Sequence, residues 1–565
     1  MSSFFDVIKK NAGLVMSYLL LGIVIVFCET FSVNLFQRIL DSITLKSVDI
    51  GEIILYSTLL ILGYILNYVD NYPTTKLSSK IYLDFKINAI RKIRTIDYKE
   101  YQKLGTGKIL QLIENGSNAG RNILFEYGFR IIRELIPSLM FSLFFIAQID
   151  IRIMYIIFVG YILVFIVTNI LLKCLYSVKK EVLINEEGFN RKLTRGFMEL
   201  VVFRIYRRFE NEIKQCVNME DNIVRGKSKL VMIHEAFFTA FAVLIGIVKI
   251  IILCAQFLGW NLSVGEIVAL LTLVDKAYTP IAIFNVIYIE KKLEQIAYER
   301  YKEFLDLPND TALEQVDNNK IENYNIEIKG LCYSYNKRQV VNNIDINVKT
   351  GEAVAFVGES GSGKSTIIKL ILGLLKYQNG SIKIGGIELS KLNLNKFYTK
   401  ISYISQDSPI FDGTIRENIV FDRKIKDEDI MKVLDLVELK EYVCSLPEGL
   451  DTEIGEKGQM LSGGEKQRLA LARVFFDESE LIILDEATSA MDNLTESAIM
   501  NNILKYFSNR TLLIIAHRLN SIEKVDRIYA IKDANLIAEG TFAEMLDKSE
   551  YFKQLWTASQ SEDYK

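Results

Sequence analysis

The chain has 565 residues, half of them hydrophobic, and its 67 basic side chains nearly balance 69 acidic ones, giving a net charge of −2. A chain of this length exceeds one hydrophobic core and predicts two or more domains. Nucleic-acid binding needs a basic balance, so we expect no nucleic-acid partner. The six cysteines form no C-x-x-C pair and there are only two histidines, which argues against a disulfide framework or a zinc site.

Long apolar segments occupy the chain up to about residue 305. A helix needs roughly 20 mainly apolar residues to cross the bilayer core. No acidic or basic side chain occurs in the segments 11–28, 53–69, 135–149 and 153–172, the segment 236–265 holds only Lys249, and the segment 267–289 holds the adjacent pair Asp275 and Lys276. We therefore predict six membrane-spanning helices, at about 14–36, 53–72, 130–149, 153–173, 236–260 and 265–289.

The connections between these spans predict the orientation in the bilayer. Those at about 70–134 and 173–235 are long, polar and rich in Lys and Arg, and Lys9 and Lys10 precede the first span. By the positive-inside rule these parts lie in the cytoplasm. The sequence thus predicts a multi-pass protein of the plasma (inner) membrane. Its Ile-, Lys- and Asn-rich usage points to a bacterium.

The fold class predicted is a six-helix all-α transmembrane domain (1–306), a linker (307–322) and an α/β P-loop domain (323–560). The segment "EAVAFVGESGSGKSTIIKLILGLL" reads strand, glycine loop, helix. It holds a complete Walker A pattern, in which backbone N–H groups approach phosphates, Lys364 reaches the β- and γ-phosphates, and Ser365 ligates Mg²⁺. The ATP-binding residues predicted here are Gly358, Glu359, Ser360, Gly361, Ser362, Gly363, Lys364, Ser365 and Thr366.

Polar side chains follow three further β-like stretches. Leu481–Leu484 precede Asp485, which fits a Mg²⁺-associated carboxylate, and Glu486, which is placed to polarise the attacking water. His517 follows another apolar strand, and Gln406 follows "ISYIS" and could sense the metal or the water. Ligands in such folds bind at the carboxyl ends of strands, which favours a catalytic interpretation of all these residues.

A second glycine turn, "LSGGEKQR" at 461–468, opens another helix too far along the chain to be part of the first. With it, the sequence resembles the ATP-binding-cassette (ABC) transporters, in particular exporter-type half-transporters. The octapeptide is similar to their signature motif, with Ser462, Gly463, Gly464 and Gln467. Tyr335 resembles the aromatic that stacks on adenine, Gln406 the Q-loop glutamine, Asp492 in "SAMD" the D-loop aspartate, and His517 the switch histidine.

The resemblance implies that Ser462, Gly463 and Gly464 cap the γ-phosphate held by a second nucleotide-binding domain. One chain supplies half of what this arrangement needs, so the expected partner is a second half-transporter, with a homodimer favoured and a heterodimer possible. The expected function is ATP-driven alternating access with ATP and Mg²⁺, most simply export. The family's coupling helices are expected around 97–103 and 201–208.

The substrate is left open between a peptide, an amphipathic drug and a lipid-type molecule. Four charges inside the predicted spans are candidates for a substrate cavity: Glu29, Lys249, Asp275 and Lys276. Asp275, Tyr278 and Asn285 also share one arc of a helix, as residues lining a cavity would. The alternative is that the charges pair with one another. A siderophore-like importer and an ATP-gated regulatory protein are the alternative functions.

Overall fold

The structure is a computed structural model that describes residues 2–198, 200–254, 257, 259–314, 321–336, 338–407, 409–455, 458–516 and 518–562. It divides into two compact units, one of Met1–Arg94 with Leu104–Leu307 and one of Thr95–Lys103 with Pro308–Lys565. The first unit is helical, and the second contains every described strand.

The helices of the first unit are long and mostly continuous. They are α1 Ser2–Lys10, α2 Ala12–Thr44, α3 Ile50–Thr95, α5 Thr106–Arg121, α6 Ile136–Ile149, α7 Ile151–Met198, α8 Leu200–Ile205, α9 Phe209–Leu253 and α10 Val264–Leu305. Two π-helical segments, Asn122–Phe129 and Ile131–Leu135, join α5 to α6. The short helix α4 Tyr98–Leu104 lies mainly in the second unit and is followed by Gly105, whose positive φ of 74° permits a turn of the chain there.

Four described helices, α2, α3, α9 and α10, are long and apolar enough to cross a membrane. The predicted first, second and sixth spans fall inside α2, α3 and α10. The third lies in α6 and the π-helical residues before it, and the fourth lies in α7, whose described apolar stretch is Ile151–Val164. The count of six spans therefore stays a prediction.

The fifth predicted span ends too late. Helix α9 stops at Leu253 instead of about residue 260. Gly259 and Asn261 have positive φ values of 72° and 46°, which an α-helix cannot continue through. Trp260 consequently lies in the following loop, where its ring packs against the guanidinium of Arg152 at 4.5 Å.

The second unit holds two sheets. The strands are β1 Ile326–Tyr335, β2 Arg338–Val348, β3 Ala353–Val357, β4 Asn379–Ile384, β5 Ile387–Glu388, β6 Ile401–Ile404, β7 Leu481–Asp485, β8 Thr511–Ile515, β9 Arg527–Lys532 and β10 Asn535–Gly540. The smaller sheet is antiparallel in the order β2-β1-β4-β5, and the larger one has the order β10-β9-β3-β8-β7-β6. In the larger sheet only the β10–β9 pairing is antiparallel.

Alternate residues of the buried strands face two different hydrophobic clusters. On β3, Ala355 and Val357 join a cluster with the helices of one side, whereas Val354 and Phe356 join a cluster with the smaller sheet. This two-fold alternation is the geometry of a strand buried on both faces, and it explains the continuous apolar runs in the sequence.

Nine helices complete the described part of this unit. They are α11 Lys364–Ile371, α12 Leu394–Tyr398, α13 Ile415–Val420, α14 Asp427–Leu436, α15 Lys440–Ser445, α16 Gly463–Ala472, α17 Asn493–Tyr506, α18 Phe542–Lys548 and α19 Glu550–Glu562. The predicted α/β domain is thus present, and Tyr324, just before β1, packs in its core.

Candidate nucleotide site

Four neighbouring parallel strands place the predicted site residues at one edge of the large sheet. The glycine loop follows β3, Asp485 ends β7, Glu486 comes next, and Gln406 follows β6. Because carboxyl ends of parallel strands meet at the same edge, these residues come together although they are far apart in sequence. His517 follows β8 in sequence but lies outside the described residues.

The glycine loop has a backbone that larger residues could not adopt. Gly358 and Gly363 have φ values of 147° and 112°. A Cβ added to Gly358 would lie 2.0 Å from the carbonyl oxygen of Ile531, and one added to Gly363 would lie 2.4 Å from that of Val340. Both glycines are therefore required by close packing of the loop against its surroundings.

Lys364 is buried at the start of α11 with 4% of its surface exposed. Its Nζ donates to the carbonyl oxygens of Gly358 at 2.7 Å and Glu359 at 3.0 Å. Burial lowers the pKa of this ammonium, while the charges of Glu486 and Asp485 act in the opposite direction. The Lys364 ammonium therefore points toward the first residues of the glycine loop.

The Ser362 hydroxyl is buried and has no hydrogen-bond partner among the described residues. An orphaned buried hydroxyl is costly unless a ligand completes it. Together with the Lys364 ammonium and the N-terminus of α11, it makes the loop a fitting cradle for the phosphates of a nucleotide. Glu359 and Ser360 lie exposed at the tip of the loop, and Thr366 is buried in α11.

Ser365 and Asp485 lie side by side. The Ser365 hydroxyl donates to Asp485 Oδ1 at 2.9 Å. Burial raises the pKa of Asp485, and the nearby Glu486 charge raises it further. A hydroxyl beside a carboxylate is an oxygen pair of the kind that Mg²⁺ prefers. Among the described residues no group of three or more His, Cys, Asp or Glu could hold a metal, so a cation here would need oxygen atoms of a nucleotide as well.

Glu486 has a positive φ of 52°, which is unusual for a non-glycine residue. Its carboxylate Oε2 accepts a hydrogen bond of 2.6 Å from Gln406 Nε2. Strain of this kind is often found where a side chain must be aimed at a ligand. The hydrogen bond directly joins Glu486, the residue predicted to polarise the attacking water, to Gln406, which is predicted to sense the metal or the water.

Tyr403 is a site residue that the sequence interpretation missed. Its hydroxyl lies 3.3 Å from Asp485 Oδ2 and donates to it. Burial raises the pKa of the Tyr403 phenol, and the charge of Asp485 and the hydrogen bond to it raise that pKa further. The sequence around Tyr403 carries no signal for this contact, because it depends on the register in which Tyr403 on β6 pairs with Ile483 on β7.

Tyr335 ends β1 and keeps 38% of its surface exposed. Its ring packs edge-on against that of Tyr333, with centroids 5.0 Å apart. The Tyr335 side chain is therefore held on one side and stays accessible, as a base-stacking aromatic requires.

The second glycine turn caps a helix in its own right. Ser462 and Glu465 form a capping box at the start of α16. Gln467 reaches the D-loop, donating to the Ser489 hydroxyl at 3.0 Å and accepting from the Ala490 amide at 2.8 Å. A Cβ on Gly464 would lie 3.1 Å from the Ala490 oxygen, so the turn packs closely on this loop.

Asp492 caps the next helix, since its carboxylate accepts from the Thr495 amide at 3.0 Å. That backbone hydrogen bond lowers the pKa of Asp492. Ser462 and Gly463 remain exposed. The described polar contacts of the signature thus run to the D-loop and leave the tip of the turn open.

Arg473, like Tyr403, was not singled out from the sequence, and its charged side chain is buried. Its guanidinium donates to the carbonyl oxygens of Asn418 at 2.7 Å and Pro409 at 2.8 Å. Phe411 and Phe421 flank it with centroids 5.5 and 5.2 Å away. Burial lowers its pKa to about 10, so it stays protonated at neutral pH. Arg473 fastens the segment that follows Gln406.

Comparison with known proteins agrees with this geometry. The family profile described as ABC transporter matches residues 341–489, which contain the glycine loop, the second glycine turn and the Asp485–Glu486 pair. A solved structure titled "Structure of a bacterial Atm1-family ABC exporter with ATP bound" is 20% identical and covers 98% of each chain with a TM-score of 0.80. That likeness establishes a shared fold across both units.

Relatives of similar sequence are of the same kind. An uncharacterized ABC transporter ATP-binding protein of Bacillus subtilis is 37% identical over 53% of this chain and 52% of its own. The mitochondrial iron-sulfur clusters transporter ATM1 of Saccharomyces cerevisiae is 33% identical over 55% of this chain and 46% of its own. A Rickettsia bellii protein with the provisional name export ATP-binding/permease protein is 25% identical over 93% of this chain and 92% of its own.

The chain is therefore similar over its whole length to exporter-type ABC half-transporters. Its matches span about half the length of the Bacillus and yeast relatives. The matched domain is an ATP-binding one, and the apolar helices, together with the named relatives, support a multi-pass membrane protein.

The four charges inside the predicted spans form two ion pairs. Lys249 Nζ on α9 lies 2.7 Å from Asp275 Oδ2 on α10, and Lys276 Nζ lies 3.2 Å from Glu29 Oε2 on α2. The pairs link three helices of the first unit. They remain partly exposed, with 51% of the Asp275 side chain and 48% of the Glu29 side chain accessible.

The proposed cavity-lining arc of α10 needs one correction. Tyr278 is fully buried, and its hydroxyl donates to the carbonyl oxygen of Ile157 at 3.2 Å. A Cβ on Gly160 would lie 1.9 Å from that hydroxyl, so the ring fills a notch in α7. Tyr278 therefore packs the helix bundle. The side chain of Asn285 lies outside the described residues.

A polar cavity of about 730 Å³, which sequence inspection also missed, opens between the π-helical residues, α7 and the end of α10. Its charged and amide lining residues are Asn115, Asn118, Asn122, Glu126, Arg130, Lys179, Glu290, Glu294 and Arg300. Except for Arg130, the first residue of the predicted third span, they lie outside the predicted spans, on the side assigned to the cytoplasm. A π-helix is rare and often marks a functional position.

Proposed function

We propose that this half-transporter is an ATP-driven exporter that works as a homodimer by alternating access. The observation that carries the proposal is the retention of Glu486, held by Gln406, beside a complete phosphate loop in a chain with apolar membrane helices. A protein that used ATP only as a gate could dispense with a positioned base. Export, rather than import, is supported by the names of the full-length relative and of the structural neighbour.

ATP hydrolysis in this proposal uses groups that already converge. The glycine loop and Lys364 would bind the phosphates, and Ser365 and Asp485 would hold Mg²⁺, which supplies positive charge to the phosphate oxygens. Glu486 would accept the proton of the attacking water, with its carboxylate oriented by Gln406. His517 is assigned the switch role by family resemblance.

Two composite sites would form between two chains. In each, the exposed Ser462 and Gly463 of one chain would approach the nucleotide held by the other, because a helix N-terminus offers N–H donors to a polyanion. The capping box presets this helix end, and Gln467 ties it to the D-loop. ATP binding would therefore bring the two nucleotide-binding domains together, and hydrolysis would release them.

The polar cavity supports a charged, peptide-like substrate over a lipid. Its lining combines three acidic and three basic side chains with three amides, which suits a molecule carrying both an ammonium and a carboxylate. Some of these groups are already oriented: Asn122 Nδ2 donates to Glu294 Oε1 at 2.8 Å, and the Tyr127 hydroxyl lies 3.4 Å from Glu290 Oε2. A lipid tail would gain nothing from such a lining.

The membrane proposed is the inner membrane of a bacterium, with the nucleotide-binding domain in the cytoplasm. The Lys- and Arg-rich connections support this orientation. Since some relatives are named as mitochondrial proteins, a mitochondrial inner membrane is the alternative. Localisation of a tagged chain in its native cell distinguishes the two.

The test of the function uses purified protein in vesicles. Inverted vesicles, whose nucleotide-binding domains face the medium, should take up zwitterionic peptides from the medium when MgATP is added there. Vesicles with the Glu486→Gln protein should not. Uptake in right-side-out vesicles instead would establish the importer alternative. ATP binding that opens a passive leak without hydrolysis would establish the gated alternative. For the substrate class, Glu126→Gln and Lys179→Met should reduce peptide-stimulated hydrolysis, while stimulation by lipids alone would overturn it.

A further inference from the structure

The helix α4 is attached to the nucleotide-binding unit although the sequence places it between two helices of the membrane unit. Ile96 forms an antiparallel bridge with Asn309, and the Asp310 amide donates to the Thr95 carbonyl oxygen at 2.8 Å. Lys376 Nζ then lies 3.2 Å from Asp97 Oδ2. This is the segment expected to be the first coupling helix.

Tyr98, in the first turn of α4, packs against the cluster that covers one face of the large sheet. Tyr403 on β6 packs against the same cluster. The Tyr98 hydroxyl accepts from Gln102 Nε2 at 2.9 Å, which holds the ring on its own helix.

The sheet face that packs in this cluster also carries the hydrogen bond between Tyr403 and Asp485 of the nucleotide site. Leu481, Ile483 and Asp485 point to one side of β7, because alternate residues of a strand share a face. Tyr403 lies on that side of β6, and its hydroxyl donates to Asp485 Oδ2 at 3.3 Å. The other oxygen of Asp485 accepts from Ser365. Asp485 is thus held by one group from the phosphate loop and one from the Tyr98 side.

We propose that Tyr403 is a positioning residue that sets the orientation of Asp485 toward Mg²⁺ and that it responds to the docking of α4 through Tyr98. This inference deepens the proposed function and rests on it, because it describes how the membrane unit is sensed at the ATP site. When α4 is docked, Tyr98 supports Tyr403 and Asp485 is held for the metal. When α4 shifts, the hydrogen bond weakens and the metal is bound less well.

The test measures metal-dependent nucleotide binding in the full-length Glu486→Gln chain, which separates binding from turnover. A fluorescent ATP analogue is titrated at increasing Mg²⁺ concentrations and also in EDTA. Tyr403→Phe should raise the half-saturating Mg²⁺ concentration by about three- to tenfold, as expected for one lost hydrogen bond to a carboxylate. Binding in EDTA should not change, because the phosphate loop is untouched.

Matched controls exist on both elements. Tyr398→Phe removes another phenol hydroxyl of the same cluster, which donates to the Leu372 carbonyl oxygen at 2.8 Å rather than to Asp485. Lys99→Ala changes an exposed side chain of α4 next to Tyr98. Both should leave the Mg²⁺ dependence as it is.

The link to α4 is tested by a double-mutant cycle. Tyr98→Ala should raise the half-saturating Mg²⁺ concentration in the same direction, and it should add nothing in the Tyr403→Phe background. A Tyr403→Phe protein that behaves like Tyr398→Phe would overturn the positioning role, and additive effects would overturn the link through Tyr98. If the protein with Glu486 intact transports peptide but Tyr403→Phe leaves the half-saturating Mg²⁺ concentration unchanged, only this inference is overturned. If Tyr403→Phe shifts that concentration as predicted but the protein transports nothing, only the proposed function is overturned.

Discussion

Gln406 Nε2 and Glu486 Oε2 lie 2.6 Å apart, so a side chain at the end of β6 holds the carboxylate that follows the neighbouring strand β7. Glu486 needs this support because its backbone has a positive φ of 52°. The position of the proposed base is thus set from outside its own strand.

Replacing the proposed base should abolish turnover but not binding. Glu486→Gln keeps the size of the side chain and removes proton acceptance, so ATP hydrolysis should fall by about 10²- to 10⁴-fold. Phosphate release and binding of a labelled nucleotide, measured on the same purified sample, check both halves of the statement. Glu480→Gln is the matched control, because Glu480 lies just before the opposite end of β7 and pairs with Arg510. Wild-type turnover in Glu486→Gln would refute the assignment.

The ion pair between Lys249 and Asp275 should reveal its role by comparison of single and double variants. Lys249→Met or Asp275→Asn alone leaves a charge without its partner in the membrane unit, so each should lower the yield of folded protein. The double variant should recover that yield. Size-exclusion profiles in detergent give the measurement.

Whether the Lys249–Asp275 pair also contacts substrate is tested with the double variant alone, because only that variant leaves no unpaired charge. We expect basal hydrolysis near the wild-type rate and altered substrate-stimulated hydrolysis. Unaltered stimulation in a well-folded double variant would leave the pair a purely structural contact between α9 and α10.

Mixed dimers should show that each ATP site needs two chains. A Lys364→Ala chain paired with a Gly463→Asp chain keeps one site with an intact phosphate loop and an intact signature. Placing both changes in one chain and pairing it with wild type leaves no complete interfacial site. Occlusion of labelled ATP in doubly tagged dimers should reach up to one nucleotide in the first mixture and almost none in the second. Equal occlusion in both would mean that each chain builds its own site.

Arg473 should contribute strongly to the stability of the nucleotide-binding domain. Arg473→Met removes three hydrogen bonds to Asn418 and Pro409 and takes away the guanidinium partner of the buried Asn418. We expect a loss of about 2–4 kcal/mol of unfolding free energy, seen as a lower Tm in thermal unfolding of the full-length protein. Arg423→Met, which removes an exposed pair with Asp477, should cost about 1 kcal/mol or less. Equal Tm values for the two variants would contradict this role.

Much of this protein could be predicted from local sequence because the relevant physics is local. The glycine loop from Gly358 to Gly363 needs backbone freedom that only glycine has. The apolar run that ends at Asp485 follows from a strand buried on both faces, whereas the apolar runs of the long helices follow from the roughly 20 apolar residues that a membrane span needs. The turn at Gly105 and the cap at Ser462 are likewise written in a few adjacent residues.

Contacts between distant residues could be decided only by the tertiary structure. Nothing within the sequence around Tyr403 indicates that its hydroxyl meets Asp485, since the pairing register of β6 and β7 determines it. The same holds for Tyr278, whose position on α10 suggested a cavity but whose ring fits over Gly160 on α7. Periodicity assigns a side chain to a face of its own element, whereas the neighbour opposite that face depends on how separate elements pack.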